Sequence, residues 1–279
     1  MRWTNSGRSG NLEDRRGMRL GGGMGMGIGG TVVLLVLSLI FGKDLLSGAG
    51  GGGGVGAVPA QDAGPYVGTP EEEEQMNFLS AVLDDAQSTW ARIFSQSGQQ
   101  YQDAKLIVFK DATQSGCGVG QSATGPFYCP LDQQVYLDLG FFQELSSRFG
   151  APGDFAQAYV LAHEIGHHIQ HLQGIDEQVR AAQQRSPDDA NELSVRLELQ
   201  ADCYAGIWGS QTSGRVTLES GDAEEGLNAA AAIGDDRLQR MGGGMVSPES
   251  FTHGSSAQRV DWLRRGLQSG RVENCDTFQ

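Results

Sequence analysis

The feature that most constrains the fold is the motif His163-Glu164-Ile165-Gly166-His167, which lies inside a largely apolar run. Residues four apart share one face of a helix, so the imidazoles of His163 and His167 can reach a single metal ion. Glu164 points to an adjacent side, where it can take a proton from a metal-bound water. The motif therefore predicts a metal-carrying helix over residues 155–172.

A catalytic zinc ion needs a third protein ligand and leaves its fourth position open for water. His171 lies two helical turns beyond His163, about 12 Å along the axis, which is too far for the same ion. We expect the third ligand to be Glu198, because Glu198 and Asp202 lie four apart on a second predicted helix among apolar neighbours. Asp202 can accept the outer N–H of a ligand imidazole and so fix its tautomer.

The H-E-x-x-H motif followed by E-x-x-x-D resembles the gluzincin plan. The wider sequence resembles the bacterial putative neutral zinc metallopeptidase family from about Glu71 to the C-terminus. The resemblance rests on the segments 125–130, 135–139, 163–167, 198–206 and 253–259. It implies a zincin-like α+β metalloprotease domain, mainly helical, with a small sheet before the motif helix.

Hydrophobic periodicity and turn residues predict the other elements of this domain. Thr69-Pro70 and the glutamates that follow begin an amphipathic helix that continues to about Phe94. Three strands are predicted at residues 105–109, 127–129 and 134–139, and further helices at 141–149, about 187–210, 219–236 and after Ser255 or Ser256. We expect residues 135–139 to form an edge strand that pairs with an extended substrate, with an ordinary internal strand as the alternative.

Peptide hydrolysis also needs a hydrogen-bond donor for the oxyanion that develops beside the metal. His253 is the first candidate, because Thr252-His253-Gly254 is similar to the Thr-His-Pro segment of CAAX-type and heat-shock zinc endopeptidases. Tyr136 is the second candidate. The alternative for His253 is that it only caps or packs against the last helix. We expect His168 and His171 to support the site or lie at the surface rather than bind the metal.

These residues predict a peptidase in which His163, His167 and Glu198 hold Zn²⁺ and Glu164 acts as general base. No acidic anchor for a substrate amine is evident, which favours an endopeptidase acting on a peptide or protein substrate. One alternative is a zinc-stabilised, non-catalytic scaffold or partner-binding module of the cell envelope. A second is a hydrolase of non-peptide substrates. Glu164 argues against the scaffold, because a purely structural zinc site has no use for a general base.

The only strongly apolar stretch, residues 24–41, holds no charge and is just long enough to cross a membrane. Arginines precede it, so we expect an uncleaved signal anchor, with a disordered cytoplasmic N-terminus at 1–23 and an exported body. A signal peptide cleaved within the small-residue segment 57–60 is the alternative. A glycine-rich linker, residues 42–69, would lead to the peptidase domain at 70–279.

The net charge of −14 is unevenly distributed along the chain. Residues 1–45 hold six Lys/Arg against three Asp/Glu, a net of +3, and the remainder holds 14 against 31, a net of −17. So acidic a body argues against nucleic-acid binding, which requires a positive surface.

The four cysteines contain no C-x-x-C pair, so a thiolate zinc site is not expected. An exported domain permits disulfides. Pairing of Cys117 with Cys129 is favoured, because both lie in one strand-and-loop segment. Cys203 would then pair with Cys275 and tie the end of the chain to the helix of Glu198, although a buried Cys203 thiol is the alternative.

Overall fold

The computed structural model describes residues 1–18, 66–212 and 214–278, and these form a mixed α+β fold as expected. The helices are α1 (Pro70–Gln96), α2 (Gly140–Ser147), α3 (Asp154–Leu172), α4 (Ile175–Arg185), α5 (Ala190–Gln211), α6 (Asp222–Ala232), α7 (Asp235–Met241) and α8 (Ser256–Ser269). The strands are β1 (Arg2–Trp3), β2 (Leu12–Asp14), β3 (Lys105–Phe109), β4 (Ala112–Ser115), β5 (Gly118–Gln121), β6 (Phe127–Cys129), β7 (Gln134–Asp138) and β8 (Val216–Thr217).

The main sheet has the strand order β2-β3-β7-β6. The pairs β2–β3 and β3–β7 are parallel, and β6 runs antiparallel to β7 with Tyr128 opposite Val135. Strand β7 therefore lies inside the sheet, and the expectation that residues 135–139 form its edge is wrong. Its near-continuous burial is what a strand with a neighbour on each side requires. The edge strand on this side is β6.

Residues 1–18 belong to the folded body, so the prediction of a disordered segment at 1–23 does not hold for them. Strand β1 pairs with β8, and β2 lies parallel to β3. The segment is held by the apolar contacts of Met1, Trp3 and Leu12 with the main core and by polar contacts with α1. Arg16 is buried and its guanidinium bonds Asp14 and Glu73, while the Ser9 hydroxyl donates to Asp84 at 2.5 Å.

The predicted membrane segment 24–41 and most of the predicted linker lie outside the described residues. Within 1–18, 66–212 and 214–278, no helix combines the length and hydrophobicity needed to cross a membrane. The Arg16 guanidinium lies 4.8 Å from the centre of the Tyr66 ring, so the chain leaves and re-enters the described body at neighbouring points. Residues 1–18 pack on the metal-motif domain through the pairs β1–β8 and β2–β3, whereas the sequence predicts the two on opposite sides of a membrane. That single-pass placement stays a prediction.

Helix α3 carries the histidine motif through the centre of the main core and is buried over most of its length. It contacts α1, α5 and α6. Gly166 lets α3 and α5 approach closely, since a Cβ atom there would lie 2.9 Å from the Ala201 carbonyl oxygen. This approach fixes the motif relative to the helix of Glu198.

Helix α8 packs even more closely against α5. A Cβ atom on Gly206 would lie 2.3 Å from the Leu263 carbonyl oxygen, and one on Gly266 would lie 2.0 Å from the Cys203 carbonyl oxygen. Both are backbone atoms that cannot move aside without shifting a helix. The three helices α3, α5 and α8 therefore form a layered unit, in which each presents side chains to the same region.

The two favoured disulfides are confirmed. Cys117 is bonded to Cys129, with their Cα atoms 5.8 Å apart, and Cys203 is bonded to Cys275, with their Cα atoms 5.6 Å apart. The first closes the β4–β5 hairpin onto β6. The second fastens the C-terminal segment to α5, as the sequence had suggested.

The structure differs from the predicted elements in two places. Helix α4, between the motif helix and the helix of Glu198, was not predicted, and its one buried residue is Val179. The single helix predicted at 219–236 is two helices, because the chain turns at Ile233 and Gly234. This turn positions α7 beside the segment that carries His253.

Candidate metal centre

The structure brings the three predicted ligands together. His163 and His167 lie one turn apart on α3, and Glu198 reaches them from α5. Glu198 Oε2 is 3.1 Å from His163 Nε2, and Glu198 Oε1 is 3.4 Å from His167 Nε2. One ligand atom from each residue lies within 4.8 Å of the other two. Two imidazole nitrogens and one carboxylate oxygen are a donor set that suits catalytic zinc, and they leave room for a fourth ligand.

Asp202 holds the outer side of His163. Its Oδ1 lies 2.8 Å from His163 Nδ1, so Nδ1–H donates to the carboxylate and Nε2 is directed towards Glu198. The Asp202 side chain is fully buried. A carboxylate on the outer nitrogen fixes the tautomer and makes the imidazole a stronger ligand, as predicted from the sequence spacing.

Two residues that the sequence did not single out complete the surroundings of Asp202. The Arg259 guanidinium donates to both carboxylate oxygens, at 2.8 Å and 2.9 Å, and the Tyr159 hydroxyl donates to Oδ1 at 2.5 Å. Burial acts to raise the pKa of Asp202, but the charges of Arg259 and His163 outweigh it and lower the pKa to about 2. Asp202 is therefore a carboxylate throughout the neutral range.

Sequence signals for these two residues existed but were weak. Tyr159 lies four residues before His163 and thus on the same helical face. Arg259 falls within a segment that supports the family resemblance, with no role attached to it. Only the fold brings α8 close enough for Arg259 to reach Asp202.

Gln170 holds the outer side of His167, and this contact was also not predicted. Its Oε1 lies 2.9 Å from His167 Nδ1, and its Nε2 donates to the Leu197 carbonyl oxygen at 2.7 Å. Gln170 is fully buried. The spacing of three residues on a helix would have allowed this contact, but many such pairs do not interact.

Glu164 is buried beside the ligands and lines the cleft that opens over them. Burial raises the pKa of its carboxyl group, against the opposing charges of His167 and His163. A carboxylate with a raised pKa is a better proton acceptor, which suits a general base.

His253 lines the same cleft from the loop before α8. Asp235, at the start of α7, accepts hydrogen bonds from the backbone N–H groups of Thr252, His253 and Gly254, and its Oδ1 lies 3.3 Å from His253 Nδ1. Burial acts to lower the pKa of His253, but the hydrogen bond to Asp235 and the charge of Glu198 outweigh it and raise the pKa. Both effects favour the protonated imidazole, the form that can donate a hydrogen bond into the cleft while it bonds Asp235.

Tyr136 is not brought to the cleft, so the expectation that it donates to an oxyanion does not fit the structure. Its hydroxyl donates to Asp132 at 2.7 Å, and its ring stacks on Phe127. Successive strand residues face opposite sides of a sheet. Val135 and Leu137 face the main core that contains α3, and Tyr136 therefore faces the other side.

His168 and His171 serve the surroundings of the site. His168 is fully buried, with Nε2 2.6 Å from the Gln102 carbonyl oxygen and Nδ1 3.0 Å from the Tyr128 hydroxyl. Burial lowers the pKa of His168. His171 Nδ1 lies 2.9 Å from Asp176. Neither histidine is part of the three-residue cluster of potential metal ligands.

The cleft over the ligands has a volume of about 660 Å³. Strand β6 contributes Phe127 and Tyr128 to its wall. Apolar side chains line one part of it, and polar side chains of α4 line another. The apolar group is Phe149, Val160, Ile233 and Leu238, and the polar group is Asp176, Arg180 and Gln183. An elongated substrate could thus contact both kinds of surface.

One protein family and several relatives match this chain. Residues 1–278 match the family model described as putative neutral zinc metallopeptidase. The chain is 46% identical to the uncharacterized protein YpfJ of Escherichia coli strain K12 over an alignment of 288 residues, covering 100% of this chain and 99% of the relative. It is 44% identical over 189 residues to the uncharacterized protein Rv2575 of Mycobacterium tuberculosis strain H37Rv, covering 64% of this chain and 63% of the relative. No solved structure matches the chain.

Proposed function

Because this chain belongs to the putative neutral zinc metallopeptidase family, we propose that it hydrolyses peptide bonds with a zinc ion held by His163, His167 and Glu198. The observation that carries the proposal is the position of Glu164. A buried carboxylate lies beside a complete set of zinc ligands and faces an open cleft. A zinc site that only stabilises the fold is closed by four protein ligands and needs no such base.

Zinc bound there would supply Lewis-acid chemistry, lowering the pKa of a water molecule and polarising a carbonyl group. Glu164 accepts the proton from the attacking water at its carboxylate and delivers it to the nitrogen of the leaving amine. His253 donates a hydrogen bond to the oxyanion that develops on the substrate carbonyl, with Asp235 holding its ring. Asp202 and Gln170 keep the ligand imidazoles in place during the reaction.

Strand β6 is the proposed binding edge for the substrate backbone. Among the described residues its one strand partner is β7, and Phe127 and Tyr128 line the cleft. An extended peptide could add to this edge through main-chain hydrogen bonds, which give affinity without selecting a sequence.

We propose endopeptidase action, because the carboxylates that line the described cleft are already engaged. Glu164 and Glu198 belong to the metal centre. Asp176 bonds His171 and Arg180, and Glu144 pairs with Arg148 at 3.7 Å. None is a free anchor for the amino terminus of a substrate, which an aminopeptidase would require.

We further propose that the domain works outside the cytoplasm and that residues 24–41 attach it to a membrane. Both disulfides support an oxidising compartment, since such bonds rarely persist in the cytoplasm. The uncharged apolar stretch supports attachment.

The deciding experiment compares the full-length chain with its Glu164→Gln variant, measuring zinc content and cleavage of casein or a peptide library. We expect one zinc per chain in both proteins and a fall in kcat of about 10²–10⁴-fold in the variant. Glu144→Gln, which neutralises another carboxylate lining the cleft, is the matched control and should cleave normally.

Equal cleavage by wild type and Glu164→Gln would refute the assignment of the base. One zinc in both proteins with no cleavage by either would favour the non-catalytic scaffold. Hydrolysis of esters or amides, but of no peptide in the library, would favour a hydrolase of other substrates.

A further inference from the structure

Gln170 connects His167 to two neighbouring groups at once. The side chain lies on α3, three residues after His167, and is fully buried. Its Nε2 lies 2.7 Å from the Leu197 carbonyl oxygen and 3.1 Å from Gln200 Oε1. Its Oε1 lies 2.9 Å from His167 Nδ1.

These contacts determine which His167 nitrogen carries hydrogen. The Leu197 carbonyl can only accept a hydrogen bond, so the Gln170 atom that faces it must be the amide nitrogen. The amide oxygen then faces His167, and this oxygen can also only accept. His167 Nδ1 must therefore be the donor, which leaves the lone pair of a neutral imidazole on Nε2, the nitrogen nearest Glu198.

We propose that Gln170 is a positioning residue that holds His167 as the Nδ1–H tautomer and so commits Nε2 to the metal. The proposal rests on the metal site proposed above but not on peptide hydrolysis. It also assigns the two histidines different supports. Asp202 supports His163 with a carboxylate, and Gln170 supports His167 with a neutral amide.

The charges around the site explain why an amide suits this position. Three carboxylates, those of Glu164, Glu198 and Asp202, lie buried or nearly buried at the centre. One zinc ion and the buried Arg259 guanidinium together balance their three negative charges. A fourth carboxylate at position 170 would be an uncompensated buried charge, which is costly. Glutamine gives the same acceptor without that charge.

A second backbone carbonyl fixes the orientation of Gln200, the other partner of the Gln170 amide nitrogen. Gln200 Nε2 donates to the Cys275 carbonyl oxygen at 3.1 Å, so Gln200 Oε1 is the atom that faces Gln170. Cys275 is in turn held by its disulfide to Cys203. Two independent carbonyls, on Leu197 and Cys275, therefore impose the same orientation on the Gln170 amide.

The test compares zinc affinity of wild type and Gln170→Met in the full-length chain, by competition with a chelator of known affinity. Methionine keeps the volume and removes the acceptor, and we expect zinc binding to weaken about 10–100-fold. Gln87→Met is the matched control, because the buried Gln87 amide has no hydrogen-bond partner among the described residues.

A second readout separates positioning from general loss of structure. Long-range ¹⁵N–¹H NMR spectra of the zinc-loaded wild type should show His167 with hydrogen on Nδ1 and the metal at Nε2. Gln170→Met should show either exchange between tautomers or a loss of that signal pattern, while urea unfolding of the zinc-free protein checks that it remains folded.

Two results would overturn the proposal without bearing on peptide hydrolysis. One is wild-type zinc affinity in Gln170→Met, and the other is a wild-type spectrum with the His167 hydrogen on Nε2. Absence of zinc binding by wild type would instead refute the metal site itself.

Discussion

At the scale of single residues, Asp202 affects both the stability of the fold and the geometry of the metal centre. It is fully buried, and its two oxygens accept hydrogen bonds from Arg259, Tyr159 and His163. A buried ion pair contributes little net stability when intact, but removing one partner leaves a desolvated charge behind. Removing one partner of the Asp202–Arg259 ion pair should therefore lower the free energy of unfolding far more than removing one partner of a surface pair.

We expect Arg259→Met to lower the free energy of unfolding of the zinc-free protein by about 3–5 kcal/mol, because Asp202 would lose its buried counterion. Urea denaturation gives this value. Arg196→Met provides the comparison, since Arg196 pairs with Glu192 on the surface, and should cost no more than about 1 kcal/mol. Equal costs for the two variants would mean that burial does not govern the Asp202 pair.

The ligands and Asp202 could be anticipated from sequence, and the other supporting residues, Tyr159, Gln170 and Arg259, could not. His163 with His167, and Glu198 with Asp202, are pairs spaced by one helical turn, a relation that lies entirely within one element. Arg259 reaches the site from 57 residues beyond Asp202. Such a contact depends on how α8 packs, which local spacing does not encode. The prediction that Tyr136 lies in the cleft did not fit for a related reason. Which side of the sheet a buried strand residue faces depends on the elements packed against that sheet.

At the scale of elements, the packing of α5 against α8 governs where Glu198, Asp202 and Arg259 lie. The helices touch through Gly206 and Gly266, where added Cβ atoms would meet backbone atoms at 2.3 Å and 2.0 Å. Any side chain at these positions must push the helices apart. The metal ligand on one helix and the guanidinium on the other would then separate.

Gly206→Ala and Gly266→Ala should each lower the free energy of unfolding by about 1–3 kcal/mol, despite the better helix propensity of alanine. Thermal or urea unfolding would measure the loss. Gly10→Ala is the control and should be nearly neutral, because a Cβ atom there meets no other atom within 4 Å. A stabilising effect at Gly206 or Gly266 would show that the helices can separate at little cost.

The two disulfides should differ in their contribution to stability. Cys117 and Cys129 are 12 residues apart, whereas Cys203 and Cys275 are 72 residues apart. If cross-links act mainly by restricting the unfolded chain, the double alanine variants should lose about 3 kcal/mol and about 4.5 kcal/mol, respectively. Urea unfolding of both variants checks this. The reverse order would indicate that contacts of the native state, rather than loop length, dominate.

Elements with a strong local pattern were predicted well, and those that depend on distant partners were not. Helix α1, strands β3, β6 and β7, and the motif helix lie within a few residues of their predicted bounds, because periodicity and turn residues define them. Helix α4 was missed because Val179 is its one buried residue. Strands β1 and β2 were missed because segments of two or three residues are too short to show a strand pattern before a partner strand is present.

At the scale of the whole molecule, the arginines near the N-terminus make contacts that their sequence pattern did not predict. Their positive charge suggested retention on the cytoplasmic side of a membrane. In the structure Arg8 and Arg16 pair with Glu73 on α1, and Arg16 also contacts Glu72. The basic segment thus binds to the acidic body of the same chain. A count of charges along the sequence does not distinguish such an intramolecular contact from retention of the segment in the cytoplasm.

We therefore expect residues 1–18 and the metal-motif domain to be equally accessible to a membrane-impermeant maleimide. We expect Ser6→Cys and Ser147→Cys, both at exposed positions, to be labelled to the same extent in intact cells or spheroplasts. The wild-type chain is the control, because its four cysteines are all in disulfides. Labelling of one variant from outside and of the other only after lysis would contradict a shared side.

The neighbouring positions of Arg16 and Tyr66 have a consequence for how this protein can change during evolution. Residues 19–65, 47 in all, join two points on the body that already lie together. Because those two points lie together, a change in the length of the chain between them need not strain the folded body. Descendants could thus gain, lose or exchange this region while the metal centre stays intact. A chain in which a short glycine–serine bridge replaces it would test that modularity.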